Sequence, residues 1–227
     1  MHLIIANKLY SSWSMRPWLV LRALDFEFTE TVIPLRREDT KARISEYSPS
    51  GKVPVLLDGD IVVWDSLAII SHLADRFPEK PIWPKDPAAR AHAKSISAEM
   101  HSGFQALRQA CPMNLGKRYA PRDLGEGVTA DVARIETIFR DTRVKFGDSG
   151  PFLFGAFSAA DAMYAPVLSR FETYAIPVKP EARAYMDSVF AHPAFARWRR
   201  EALSEEWTIP DFELGYEIAA DLRAGVA

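Results

Sequence analysis

Residues 52–66 read Lys-Val-Pro-Val-Leu-Leu-Asp-Gly-Asp-Ile-Val-Val-Trp-Asp-Ser, and the fold follows from this stretch. Two short apolar runs, Val55 to Leu57 and Ile61 to Trp64, flank Asp58-Gly59. Asp-Gly adopts the positive-φ turn of a two-residue loop, so the runs pair as an antiparallel hairpin. Pro54 has no N–H for a ladder and therefore stands just ahead of the first strand. The Val53–Pro54 bond is a candidate for cis geometry, which would turn the Val53 amide and carbonyl outward, free to pair with an extended peptide. Asp65-Ser66 then caps a helix whose apolar positions, Leu67, Ile69, Ile70, Leu73 and Ala74, share one face and end before Pro78.

Upstream of the hairpin, His2 to Asn7 is a short apolar run suited to a buried strand, Lys8 to Ser12 is a polar turn, and Arg16 to Leu24 has helical spacing. Glu27 to Ile33 reads as a second strand before Pro34, followed by a charged helical stretch. The order is βαβαββα. Downstream, Phe77 to Pro87 carries four prolines and forms an extended connector. Beyond it the spacing predicts helices over Ala88–Ala110, Thr129–Phe146, Ala159–Tyr174, Pro180–Phe190 and Pro193–Leu203, with no strand in this half. Ser158-Ala-Ala-Asp161 matches a capping box, which gives Asp161 a role in stability rather than chemistry. The expected architecture is α/β plus all-α, with one domain over residues 1–80 and an all-helical domain over 88–227.

At 227 residues, with 48% hydrophobic content, the chain is long enough for two such units. Its 28 Lys plus Arg nearly balance 30 Asp plus Glu, so no large field draws it to nucleic acid or anionic lipid. One cysteine, Cys111, excludes an internal disulfide framework and any cysteine-rich metal site. Placed at a helix end before Pro112, it reads as a buried, inert small hydrophobe. The five histidines lack zinc spacing and no phosphate-loop or dinucleotide glycine pattern occurs, so neither metal nor nucleotide is expected. No apolar run approaches the roughly 20 residues of a membrane span, and no signal segment precedes the first strand. A cytoplasmic protein that binds a small ligand is expected.

Tyr10-Ser-Ser-Trp-Ser14 lies between the first strand and first helix, where backbone amides and the helix N-terminus make a site for an anion. Serines there also serve as plain helix caps, and both readings stand at this point. Met100, His101, Phe104, Leu107 and Arg108 share helical spacing that suits either a second pocket wall or core, and Trp207 suits either a lid or core closure.

Taken together and in order, Ser11-Ser-Trp-Ser-Met-Arg16, Ser48-Pro-Ser-Gly-Lys-Val-Pro54, Trp64-Asp-Ser66 and Ser158-Ala-Ala-Asp161 resemble the landmarks of cytosolic glutathione transferases, along the whole chain. The resemblance implies a thioredoxin-like first domain that binds glutathione as co-substrate and a helical domain that receives a hydrophobic electrophile. It implies that Ser11, or Ser12 beside it, donates to the glutathione sulfur. It places Val53 against the cysteinyl backbone, Pro54 as the cis-proline, Asp65 and Ser66 on the γ-glutamyl end, and Lys52 near the glycine carboxylate. It also implies a homodimer, with contacts around residues 65–76 and 88–109. Trp13 departs from the Ser-Ser-Cys of the zeta subgroup, which includes maleylacetoacetate isomerases, so conjugation is expected ahead of isomerisation, and a non-catalytic ligand-binding protein is the remaining alternative.

Overall fold

A computed structural model describes residues 1–223 of the chain. Its first part is a four-stranded sheet in the order β2-β1-β3-β4, formed by β1 (His2–Ala6), β2 (Thr29–Ile33), β3 (Val55–Asp58) and β4 (Ile61–Val63). Helices α1 (Ser12–Ala23), α2 (Thr40–Ser45) and α3 (Ser66–Arg76) complete the βαβαββα order, and the thioredoxin-like expectation holds. β1 and β2 run parallel across the α1 crossover, whereas β3 runs antiparallel to both β1 and β4. The hairpin register pairs Leu57 with Val62 and Asp58 with Ile61, and Gly59 takes the φ of +59° that such a turn needs. Leu3, Ile4, Ile5, Val55 and Leu56 are fully buried, as befits inner strands that are covered on both faces.

The second part consists of α4 (Pro87–Ser102), α5 (Gln105–Ala110), α6 (Glu126–Phe146), α7 (Ala159–Thr173), α8 (Pro180–Ala191) and α9 (Pro193–Leu203). Pro87, Pro180 and Pro193 each open a helix, where the missing N–H costs nothing. α7 is the hub: every residue except Glu172 is buried, and its run of alanines lets α1 and α4 pack against it. The Tyr164 hydroxyl donates to the Ile96 carbonyl of α4 at 3.0 Å. One apolar core runs through both parts, joining Leu3, Trp18 and Ile70 to Met163 and Trp198, and a second, small cluster of Ile4, Ile33, Ile44 and Val55 is packed beside α2.

Two expectations need correction. The stretch over Ala88–Ala110 is two helices, because Phe104 sits in the left-handed region (φ 59°, ψ 46°) and stops α4 at Gly103. A Cβ on Gly103 would lie 2.7 Å from the Glu99 carbonyl oxygen, so only glycine fits there. The second half also contains strands: β5 (Lys117–Tyr119) and β6 (Ile218–Asp221) pair antiparallel. Each is too short to show alternation, and each exists because of a partner about a hundred residues away.

Candidate functional site

A cleft of about 430 Å³ opens where the sheet edge, the start of α1 and the start of α3 converge. Lys52, Val53 and Pro54 form one wall, Asp65 and Ser66 another, and the indoles of Trp13 and Trp64 flank them, with Ser50 at the rim. All five residues expected to hold the tripeptide thus share this cleft. The loop that carries Lys52 is pinned by Ser48, whose hydroxyl donates to the Lys52 carbonyl at 2.7 Å and accepts from the Lys52 amide at 3.2 Å. The Val53–Pro54 bond is cis, and so is Trp64–Asp65. Among the described residues, neither the Val53 N–H nor its carbonyl enters a backbone hydrogen bond.

Asp65 is the N-cap of α3, with Oδ1 accepting from Leu67 N at 3.0 Å and Ala68 N at 3.4 Å. Its Oδ2 faces His101 Nε2 from α4 at 3.0 Å, so one carboxylate ties the two parts of the chain together across the cleft. Ser66 begins α3, and its Oγ is buried without a partner among the described residues. A buried hydroxyl with no partner costs about 1–3 kcal/mol, and a site that receives a ligand carboxylate removes that cost. The donor set, a free hydroxyl and a free peptide edge at a helix start, suits an extended acidic peptide.

The start of α1 carries the capping arrangement that serines there allow. Ser11 is its N-cap: the Ser11 hydroxyl accepts from Ser14 N at 3.2 Å and donates to Ser14 Oγ at 2.8 Å. Ser12 Oγ accepts from Arg170 Nη2 at 3.4 Å. Both serines are over nine-tenths buried and lie behind the cleft surface that Trp13 presents. Trp13 in turn is clamped. The Arg16 guanidinium lies 4.4 Å from its ring centre, that of Arg108 lies 5.0 Å away, and the His101 ring meets it edge-on at 5.2 Å.

Arg16, Arg108 and Arg170 therefore form a cationic cluster beneath the Ser12–Trp13 peptide. Arg16 is completely buried, its Nε donates to the Met163 carbonyl at 3.3 Å, and both terminal nitrogens lack a partner among the described residues. Burial, and then repulsion from Arg108 and Arg170, lowers its proton affinity well below the usual guanidinium range. Burial likewise brings Arg170 down to about 10. A bound anion would relieve the whole group. Arg16 stood within the sequence motif, but nothing in the pattern singled out Arg170, because α7 reaches the site only through tertiary packing.

The helical stripe divides. Met100, Phe104 and Leu107 are buried in the core, while His101 and Arg108 reach Trp13. Trp207 is half-buried, its carbonyl accepts from the Arg223 guanidinium at 3.4 Å, and it is not among the residues that line this cleft. The segment that does approach Ser11 is the one before β6: Glu213 accepts from the Tyr10 hydroxyl at 2.6 Å, and Phe212 stacks on the Tyr10 ring at 5.7 Å. Cys111 is buried, and burial pushes its thiol up to about 12, which makes it inert. Among the described residues no helix is long and apolar enough to cross a membrane.

Residues 10–76 match the glutathione S-transferase N-terminal domain family, and residues 99–201 match the glutathione S-transferase C-terminal domain family. A probable maleylacetoacetate isomerase of Caenorhabditis elegans is 35% identical over 127 residues, which cover 52% of this chain and 58% of the relative. Glutathione S-transferase 1 of Dianthus caryophyllus is 38% identical over 103 residues, covering 45% and 46% respectively. The chain thus spans about half the length of these curated relatives. Among solved structures, a glutathione transferase homologue from Burkholderia, crystallised with bound glutathione, shares the fold with a TM-score of 0.69 at 21% identity, covering 90% of this chain and 98% of that one.

Proposed function

Since the chain belongs to the glutathione S-transferase family, we propose that it binds glutathione in the Trp13–Val53–Ser66 cleft and activates its sulfur for attack on a hydrophobic electrophile. The observation that carries this reading is the buried Ser66 hydroxyl beside the Val53 peptide edge, neither of them with a partner among the described residues. Ser66 and the α3 N-terminus take the γ-glutamyl carboxylate, and Asp65 faces the γ-glutamyl ammonium. Val53 pairs with the cysteinyl backbone next to Pro54, and Lys52 lies towards the glycine carboxylate. The thiol then points to the Ser11–Ser12 turn at the start of α1.

Glutathione must react as thiolate, and a free thiol with a pKa near 8.5 is mostly protonated at neutral pH. Lowering it by about two units requires about 2.7 kcal/mol. A serine hydrogen bond to the anion supplies roughly 1.5–3 kcal/mol and the α1 N-terminus roughly 0.3–1 kcal/mol. The thiol proton leaves to solvent, and no buried general base is needed. Residues 1–80 supply this half of the site, and the part from residue 88 onward supplies the electrophile pocket beside His101 and Arg108, residues 224–227 lying outside the described residues. A cytoplasmic homodimer fits the reading, with contacts around residues 65–76 and 88–109. The exposed Ile61, Val62 and Trp64 on the adjoining sheet edge support such a contact.

Calorimetric titration of glutathione, with the ultraviolet thiolate band followed in the same samples, tests the proposal. Saturable binding with a thiolate band at neutral pH is the expected result, and no binding would leave a non-catalytic protein of this fold. The maleylacetoacetate isomerase among the similar proteins favours a second reading, in which glutathione adds to the substrate and leaves again. Product masses separate the two: conjugation gives a glutathione adduct, while isomerisation gives a product of the substrate's own mass with glutathione unconsumed.

A further inference from the structure

The connector at residues 77–87, the start of α4, the end of α6 and the loop before α7 surround a second cavity of about 400 Å³, which shares no lining residue with the cleft. Small-molecule sites run to roughly 300–1,000 Å³. Trp83, Phe146, Phe154 and Phe157 supply aromatic walls, and Pro81 and Pro84 extend them. Trp83 is more than nine-tenths buried, and its Nε1–H has no partner among the described residues. We propose that this cavity binds an uncharged aromatic compound bearing one carbonyl oxygen, which accepts from the Trp83 indole, whether or not the cleft holds glutathione.

The chemistry of the walls sets this ligand class. An indole N–H only donates, so the partner it lacks is an acceptor. The other buried polar side chain of the wall, Ser158, already donates its hydroxyl to Asp161 Oδ2 at 3.0 Å. Of the lining residues only Lys85 and Asp86 are charged, both are exposed and their charges cancel, and Asp86 Oδ1 is taken by the Ala89 amide of α4 at 2.8 Å. An ionised ligand would lose its hydration against apolar walls with no net counter-charge, whereas a ketone or ester oxygen loses far less and regains a bond from Trp83. The ligand's ring then meets the phenylalanines offset or edge-on. These walls are held before any ligand arrives. The Ile82 carbonyl accepts from the Ala159 amide at 2.8 Å, and Arg90 donates through Nε to the Pro84 carbonyl at 2.9 Å and through Nη2 to the Lys85 carbonyl at 3.1 Å. The Phe146 and Phe154 rings lie 5.6 Å apart, with the His92 ring against both and its Nε2 bonded to Thr142 Oγ1 at 2.8 Å. A site built in advance spares the ligand the ordering of its walls.

The test follows the fluorescence of 2-acetylnaphthalene titrated with wild type, Trp83→Phe and Ala156→Trp, beside 2-ethylnaphthalene, which lacks the oxygen, and 2-naphthoate, which is charged. Wild type is expected to bind the ketone saturably, and S-hexylglutathione, a probe for the cleft and the electrophile pocket, leaves that binding unchanged. Trp83→Phe keeps a ring and removes the donor, so the preference for the ketone over 2-ethylnaphthalene falls about tenfold. Ala156→Trp puts an indole into the cavity from an exposed position and abolishes binding of both. The proposal is overturned if wild type shows no saturation, if S-hexylglutathione displaces the ketone, if 2-naphthoate binds more tightly than the ketone, or if Ala156→Trp binds it as wild type does. Should Trp83→Phe not fold, the Ala156→Trp titration decides, together with a nuclear Overhauser contact between the ketone's methyl group and the Trp83 indole N–H in wild type, whose absence overturns the assignment. Protein that binds the ketone but not glutathione refutes the reading of the cleft and leaves this cavity standing.

Discussion

At the scale of single residues, a buried polar group costs stability when unpaired and supplies it when paired. The Ser66 hydroxyl is buried without a partner among the described residues, so folding gains nothing from it. Ser66→Ala is therefore expected to weaken glutathione binding by roughly 10- to 100-fold, the loss of a hydrogen bond to a charged group, while the melting temperature stays at or above that of wild type. Calorimetry and thermal denaturation on one preparation check both halves. Asp161 is the opposite case. Its buried carboxylate accepts from Leu153 N, Ser158 N, the Ser158 hydroxyl and the Tyr185 hydroxyl, at 3.0, 2.8, 3.0 and 3.0 Å. Asp161→Ala leaves four buried donors unpaired and is expected to cost about 3–5 kcal/mol in chemical denaturation. The role in stability was legible from Ser-Ala-Ala-Asp, since capping is local chemistry; the Leu153 and Tyr185 bonds were not, since they come from other segments.

Among the helices and strands, local signals succeeded wherever the decisive partners lay within a few residues. The Asp58-Gly59 hairpin, the Asp65 cap and the proline helix starts are of this kind. The α9 cap adds a pH dependence. His192 Nδ1 accepts from Ala194 N at 3.2 Å, the ring stacks on Phe157 at 4.4 Å, and burial lowers its pKa. Protonation would remove the acceptor and put a positive charge at a helix N-terminus. A folded pKa below the unfolded value of about 6.5 means that the contribution is present above that pH and is lost as pH falls through the folded value. The melting temperature is therefore expected to fall between pH 7 and pH 5, and less steeply in His192→Asn, which caps without titrating. Equal slopes in the two proteins would remove His192 from the account. The break between α4 and α5 was hidden by the helical spacing of Met100, Phe104 and Leu107, which continues across it.

Across the whole molecule, the two parts are tied behind the site by Lys8. Its ammonium pairs with Glu30 of β2 and Glu201 of α9, beside the indoles of Trp18 and Trp198. Glu205 accepts from the Lys8 and Leu9 amides at 2.6 and 3.1 Å, and Trp198 Nε1 donates to the Lys8 carbonyl at 3.0 Å. Lys8→Met removes the buried ammonium from two carboxylates and is expected to destabilise the protein by about 3 kcal/mol, at the lower end for a broken buried pair because Glu201 keeps Arg197, Glu30 keeps the Trp18 indole N–H, and both keep some contact with water. Since the core is continuous, unfolding should remain one transition by circular dichroism and by tryptophan fluorescence.

The sequence by itself determined the βαβαββα order, the helical second half and the cleft residues Lys52, Val53, Pro54, Asp65 and Ser66. Hydrophobic period, turn chemistry and capping all act over a few residues, and these side chains lie at the ends of the elements so specified. Only the tertiary structure decided what surrounds the start of α1, since the partners of Ser12 and Trp13 arrive from α4, α5 and α7. The β5–β6 pair and the Lys8 tie likewise join segments that are far apart in the chain, and no local pattern encodes a contact whose two halves are brought together only by packing.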